Sequence, residues 1–215
     1  MAKLTEEQEL LRQEAMWETE KSLNKKGYKY IAGVDEAGRG PLAGPVYAAA
    51  VILPEGARID GINDSKKLSE KKREELFEII TKTAISYSIA CVDENVIDQV
   101  NILNATHMAM CQAVDGLSVP CDYVLIDGNS IRGMEKSHET MVKGDAKSIS
   151  IASASILAKV SRDRYIKEIA HKYPEYGFEK HKGYGTKAHT DAILEHGICP
   201  IHRKTFLKKL LGENI

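Results

Sequence analysis

The segment Tyr30–Pro41, Tyr-Ile-Ala-Gly-Val-Asp-Glu-Ala-Gly-Arg-Gly-Pro, constrains the fold more than any other. Its first half is an apolar run of mostly small residues, which reads as a buried strand. That strand delivers two adjacent carboxylates, Asp35 and Glu36, and then a turn with Arg39 set between Gly38 and Gly40. Small residues allow backbone to come close to a ligand. Two carboxylates there can hold a divalent cation, and an arginine flanked by glycines can meet a phosphate. The pattern points to metal-assisted chemistry on a phosphate-containing substrate. One geometric condition goes with it. Neighbouring residues of a regular strand point to opposite faces, so Asp35 and Glu36 share a site only if the strand ends or twists between them.

The rest of the chain supplies partners for this strand. Residues 5–25 read as a helix with Leu10, Leu11, Met16, Trp17 and Leu23 as a loose apolar stripe. Tyr47–Leu53 reads as a second strand, near enough to the first for a hairpin. Ser69 caps a predicted helix over about 70–83, buried through Leu76, Ile79 and Ile80. Ile85–Val92 alternates as a third strand. Asp93 and Asn101 are N-cap candidates for a short helix and a longer one ending near Gly116. Tyr123–Ile126 is a short strand that again ends in acid, at Asp127, and Thr140–Lys143 is another, ending at Gly144-Asp145. A helix over about 147–171 begins with small residues and can lie close to a sheet, its serines bonding back to helix carbonyls. Pro174 stops it. A glycine-flanked loop, His181–Thr186, leads to a helix near 188–196 and a basic helix over 203–211. Early strands and late helices predict an α/β fold, a mixed sheet with helices on both faces and a C-terminal helical extension from about residue 174.

The acids gain meaning jointly. A lone Asp at a strand end is more often a cap or turn former. Asp35, Glu36, Asp127 and Asp145 all stand at predicted strand ends with glycine near, and one sheet edge can gather them. Close carboxylates repel unless a cation neutralises them or some hold protons. Hard oxygen ligands select Mg²⁺ or Mn²⁺, and two such ions about 4 Å apart can drive an in-line phosphodiester displacement.

Composition narrows the class. The chain has 215 residues, 43% hydrophobic and 28% charged, an ordinary soluble balance for one sizeable core. It has no long apolar run and no secretory signal pattern, so a cytoplasmic protein without a membrane anchor is expected. Its four cysteines include no C-x-x-C pair and are expected to be reduced and mostly buried. The net charge of -1 hides an asymmetry: from Lys143 onward there are 14 Lys/Arg against 8 Asp/Glu. A basic C-terminal third suits a polyanionic partner. The residues alone leave open a different nuclease or recombinase, a nucleic-acid-binding module and a nucleotide phosphohydrolase.

Asp-Glu-Ala-Gly-Arg-Gly-Pro at 35–41 resembles the signature of type 2 ribonuclease H, specifically ribonuclease HII. Asp64-Ser-Lys-Lys-Leu68, Ile126-Asp-Gly-Asn129, Lys143-Gly-Asp145, Ser161-Arg-Asp-Arg164 and His181-Lys-Gly-Tyr-Gly-Thr186 follow in the family's order. The ribonuclease HIII type carries lysine where Arg39 stands. The resemblance implies a ribonuclease H-like sheet in one catalytic domain spanning 1–215, with a helix in 1–28 ahead of it. It implies hydrolysis of the RNA strand of RNA–DNA hybrids and cutting 5′ to ribonucleotides embedded in duplex DNA, leaving 3′-hydroxyl and 5′-phosphate ends. Asp35, Glu36, Asp127 and Asp145 would bind the metals (Mn²⁺ or Mg²⁺). Gly38, Arg39 and Gly40 would read the ribose 2′-hydroxyl, and Tyr184 would stack on the following sugar. Ser65 and Lys66 would contact phosphates. A monomer is expected. Asp163, between two arginines, reads as an ion-pair partner. His181 and His189 read as surface residues of a basic loop.

Overall fold

The computed structural model describes residues 5–212. The first helical segment is two helices, α1 (Glu6–Met16) and α2 (Glu18–Lys25), not one. Thr5 and Gln8 form a reciprocal capping box at the start of α1. The break falls at Trp17, which is buried and donates its indole N–H to the Ala57 carbonyl at 3.1 Å. Anchoring that ring across the molecule turns the chain between the helices.

Five strands form one sheet: β1 (Ile31–Ala37), β2 (Val46–Ile52), β3 (Ser86–Val92), β4 (Tyr123–Asp127) and β5 (His138–Met141), in the order β3-β2-β1-β4-β5. β1–β2 and β2–β3 are antiparallel; β1–β4 and β4–β5 are parallel. The mixed sheet read from the sequence is the observed one. β1 is central, which explains its small apolar residues: both faces are covered.

Between β2 and β3 lies α3 (Glu70–Thr83), capped by the Ser69 hydroxyl on the Lys72 amide. Leu76 and Ile80 are buried, but Ile79 is 40% exposed, because only the i, i+4 pair faces the core. Asp93 caps α4 (Glu94–Val100), and Asn101 caps α5 (Ile102–Asp115), which covers one face of the sheet through Ala105, Ala109 and Ala113 against Val34, Ala48 and Ala50. The other face takes α6 (Ile149–Lys172), whose Ala152 and Ile156 pack with Ala49 and Val51. The approach of α6 to β1 depends on Gly33: a Cβ there would overlap the Ser150 backbone. Ser153 bonds back to the Ile149 carbonyl at 2.8 Å, as the small-residue run predicts.

Beyond Pro174 the chain is more helical than expected. A 3-10 turn (Pro174–Tyr176) and the short α7 (Phe178–His181) precede α8 (Lys187–His196) and α9 (Lys204–Leu211). These pack on the second half of α6 through Ile166, Phe178, Ile193 and Leu207. In α9, Leu207 is buried and Lys204, Lys208 and Lys209 are exposed. Cys121 and Cys199 are buried, but Cys91 is exposed and Cys111 half-buried, so only two of the four thiols follow the expectation. All four are free. Among the described residues, no helix is long and apolar enough to cross a membrane.

Candidate active site

Asp35 and Glu36 both lie inside β1, opposite Ala49 and Ala48 of β2. The strand therefore does not end between them; it runs on to Ala37 before Gly38, at φ +100°, turns the chain. Asp35 stands on the α6 side, where the Ser155 hydroxyl favours its charged form, and its Oδ1 accepts the Glu36 amide at 2.7 Å. Alternation starts Glu36 on the opposite face. The two nonetheless meet electrostatically at the strand's end, because both carboxyls feel Asp127.

Asp127 is the last residue of β4, one position past the Val34–Ile126 pairing. Its Oδ1 accepts the Gly144 amide at 2.6 Å. A Cβ at 144 would stand 2.6 Å from Ile151 Cδ1 and 3.2 Å from Asp127 Oδ1, so a larger residue would have to displace the Ile151 tip. Asp145 follows, but not at a strand end. β5 stops at Met141, Lys143 turns left-handed at φ +58°, and Asp145 sits in a 3-10 turn (Gly144–Ala146). The expected strand Thr140–Lys143 is thus displaced by two residues, and the acid arrives from a turn.

Asp35, Glu36 and Asp145 resist ionisation. Burial, then the charges of Glu36 and Asp127, push the Asp35 carboxyl well above the ordinary carboxylate range. Burial raises Glu36 too; Arg39, 3.4 Å from its carboxylate, opposes the rise and Asp127 adds to it. Asp145 is raised by burial, then by Asp64 and Asp127. Asp64 is therefore a fifth acid of the cluster. In the sequence it stood only as the first residue of the Asp64–Leu68 motif; in the structure it caps the 3-10 turn Ser65–Lys67 through the Lys66 amide.

Gly38, Arg39 and Gly40 are held from behind by two buried arginines. Arg203 donates to the carbonyls of Gly38 (2.6 Å), Arg39 (2.9 Å) and Gly44 (2.8 Å). Arg162 donates to Pro45, Ala43 and Lys182, each at 3.1 Å. With the carbonyls of Gly38 and Arg39 turned inward, planar trans peptides turn the amides of Arg39 and Gly40 outward. A Cβ at Gly38 would collide with the Arg162 guanidinium. The Arg39 side chain is half exposed. Tyr184, 44% exposed, stands over Gly40, where an added Cβ would lie 3.6 Å from the tyrosine ring.

Ser65 and Lys66 separate. Ser65 is buried, its hydroxyl 3.0 Å from that of Ser155, behind Asp35. Lys66 is exposed and its charge reaches Asp145. Asp163 pairs with Lys159 at 2.7 Å and Arg73 at 3.7 Å, as an ion-pair reading requires. His189 is fully buried, contrary to expectation, because α8 packs its first turn inward against Phe178. Sequence reasoning also missed the roles of Arg162 and Arg203. The motif around Arg162 was visible, but its carbonyl partners lie far away in the chain.

A family model described as ribonuclease HII matches residues 32–209. The chain belongs to the ribonuclease HII family. It is 58% identical over 198 residues to ribonuclease HII of Caldicellulosiruptor saccharolyticus, covering 92% of this chain and 97% of that one. Its fold is similar to the crystal structure of ribonuclease H2 from Pyrococcus horikoshii, with a TM-score of 0.70 and 28% identity over 84% of this chain and 96% of that one. It is similar also to ribonuclease HII of Archaeoglobus fulgidus, solved as a complex with PCNA, with a TM-score of 0.65 and 26% identity over 81% and 94% of the two chains. Membership makes the chain a ribonuclease H, an endonucleolytic phosphodiester hydrolase acting on RNA–DNA hybrids.

Proposed function

We propose that this ribonuclease H also cuts duplex DNA 5′ to a single embedded ribonucleotide, by two-metal hydrolysis that leaves 3′-hydroxyl and 5′-phosphate ends. The observation that carries the reading is the crowding of buried Asp35 against Glu36 and Asp127 at the end of β1 and β4. Such a cluster is relieved by protons or by a divalent cation, and all-oxygen donors fit Mg²⁺ or Mn²⁺. Among the described residues no three such side chains already converge as a ligand set, so cation binding would draw them together.

Asp35, Glu36, Asp127 and Asp145 would hold the ions. Bound there, the ions would supply Lewis acidity for water activation and for the charge on the departing 3′-oxygen. The Glu36 amide holds Asp35 in place, and the Gly144 amide holds Asp127. The outward amides of Arg39 and Gly40 suit donation to a 2′-hydroxyl, the group that separates RNA from DNA. The Tyr184 ring would pack on the sugar of the next nucleotide, favouring deoxyribose. Lys66 is available to a phosphate, while Ser65 supports the site from inside through Ser155. We assign these functions to one catalytic unit acting as a monomer in the cytoplasm.

Mapping products from end-labelled duplexes tests this. A duplex with one internal ribonucleotide should be cut only 5′ to it, with Mg²⁺ or Mn²⁺ and not with EDTA. Equal cutting of an all-DNA duplex would contradict the assignment.

A further inference from the structure

Three histidines beneath the Tyr184 loop lie outside the reaction described above, yet their hydrogen bonds leave little freedom in how they are protonated. His189 and His202 are buried, with Nε2 atoms 3.0 Å apart. His189 Nδ1 is 3.0 Å from the Tyr184 carbonyl oxygen. A carbonyl only accepts, so Nδ1 carries the proton and donates. In the neutral ring, Nε2 of His189 is then an acceptor, and His202 Nε2 must be the donor to it. That leaves His202 Nδ1 bare: it receives the Cys199 amide at 2.9 Å, with the Cys199 thiol at 3.1 Å, and these nearer donors outweigh the Cys199 carbonyl oxygen, which stands farther off at 3.3 Å. One directed chain therefore runs from the Cys199 amide through His202 and His189 to the Tyr184 carbonyl.

His181 repeats the logic on the near side. Its Nε2 donates to the Tyr176 carbonyl at 2.8 Å, so its Nδ1 accepts the Gly183 amide at 3.3 Å. Its ring stacks on His189 with centroids 4.5 Å apart. The residue before Tyr184 and Tyr184 itself are thus held by opposite groups of two stacked imidazoles. Burial keeps His189 and His202 at about 4, so both rings are neutral near pH 7. The loop is tied from the other side as well: the Gly183 carbonyl accepts the Leu42 amide at 2.8 Å, and a Cβ at Gly183 would press on the Ala43 carbonyl.

We propose that His189 and His202 are positioning residues that set where the Tyr184 ring stands over Gly40, and so set discrimination at the sugar after the cut. This rests on the reading of Tyr184 as the residue that meets that sugar. A ring displaced by an ångström loses contact selectivity without touching the acids.

Two measurements test the proposal. Long-range ¹H–¹⁵N spectra of the full chain at pH 7.5 read the tautomers without any activity. The expected result is Nδ1–H for His189 and Nε2–H for His202; the reverse pattern for either would overturn it. The second is the ratio of kcat/KM for a single embedded ribonucleotide to that for a continuous RNA strand in hybrid. His189→Leu should lower that ratio on the order of tenfold, mainly through KM. His189→Asn, which can keep a donor to the Tyr184 carbonyl, should retain most of it. Tyr184→Ala is the control. If it leaves the ratio intact, the Tyr184 reading fails and the functional claim falls with it. If Tyr184→Ala lowers the ratio but a folded His189→Leu does not, the histidine chain alone is refuted.

Discussion

Asp35 is buried to 6% exposure between Glu36 and Asp127, and its environment opposes ionisation. A carboxyl whose folded pKa is raised destabilises the folded state at neutral pH, since the unfolded chain ionises freely there. Asp35→Asn keeps an oxygen for the Glu36 amide and removes the charge. It should raise stability in EDTA by about 1–3 kcal/mol while removing activity. Thermal melts of both proteins with and without Mn²⁺ check this: the wild type should gain from the ion and the variant should not. A variant less stable than wild type in EDTA would show that repulsion is not what Asp35 feels. At this scale the sequence was readable where signal and role coincide. Asp35 and Glu36 stand out because acid seldom follows so apolar a run. Asp64 was visible only as the start of the Asp64–Leu68 motif, because it lies in a loop and not at a strand end. Arg203 gave no cue, because its carbonyl partners lie up to 165 residues away.

The elements show a similar division. β1, β2, β3, α3 and α5 follow from alternation, helical periodicity and caps that all act locally. The break at Trp17 and the turn before Asp145 do not, because one depends on a distant carbonyl and the other on a left-handed lysine. Of the two options for Asp35 and Glu36, the strand does not end between them but continues to Ala37. α6 carries the consequence, since its depth against β1 brings the Ser155 hydroxyl within electrostatic reach of Asp35. Gly33→Ala should push α6 outward and cost more than about 3 kcal/mol, because the clash is with backbone rather than a movable side chain. Denaturant unfolding measures it. A loss under about 1 kcal/mol would mean that the helix shifts freely.

At the scale of the molecule, two sets of buried groups give opposite pH responses. His189 and His202 titrate near 4 when folded and near 6.5 when unfolded. Their contribution is complete above pH 6.5 and is lost as pH falls toward 4, because the unfolded chain takes up protons that the folded rings refuse. The raised acids work the other way. Comparing the wild type with His189→Asn isolates the first: the variant should lose less stability between pH 6.5 and 4.5, by on the order of 2 kcal/mol. Equal slopes would show that burial of the histidines does not govern acid sensitivity.

Everything proposed for the reaction requires the acids at the end of β1 and β4 to perform the hydrolysis rather than only shape the site. Asp127 tests this best, because its neighbours hold it through one backbone amide that Asn can still accept. Single-turnover cleavage of a duplex carrying one ribonucleotide, at saturating Asp127→Asn enzyme, separates chemistry from binding. The rate should fall at least about a hundredfold with substrate affinity preserved. A variant cutting within about threefold of the wild-type rate would contradict a catalytic role for these carboxylates.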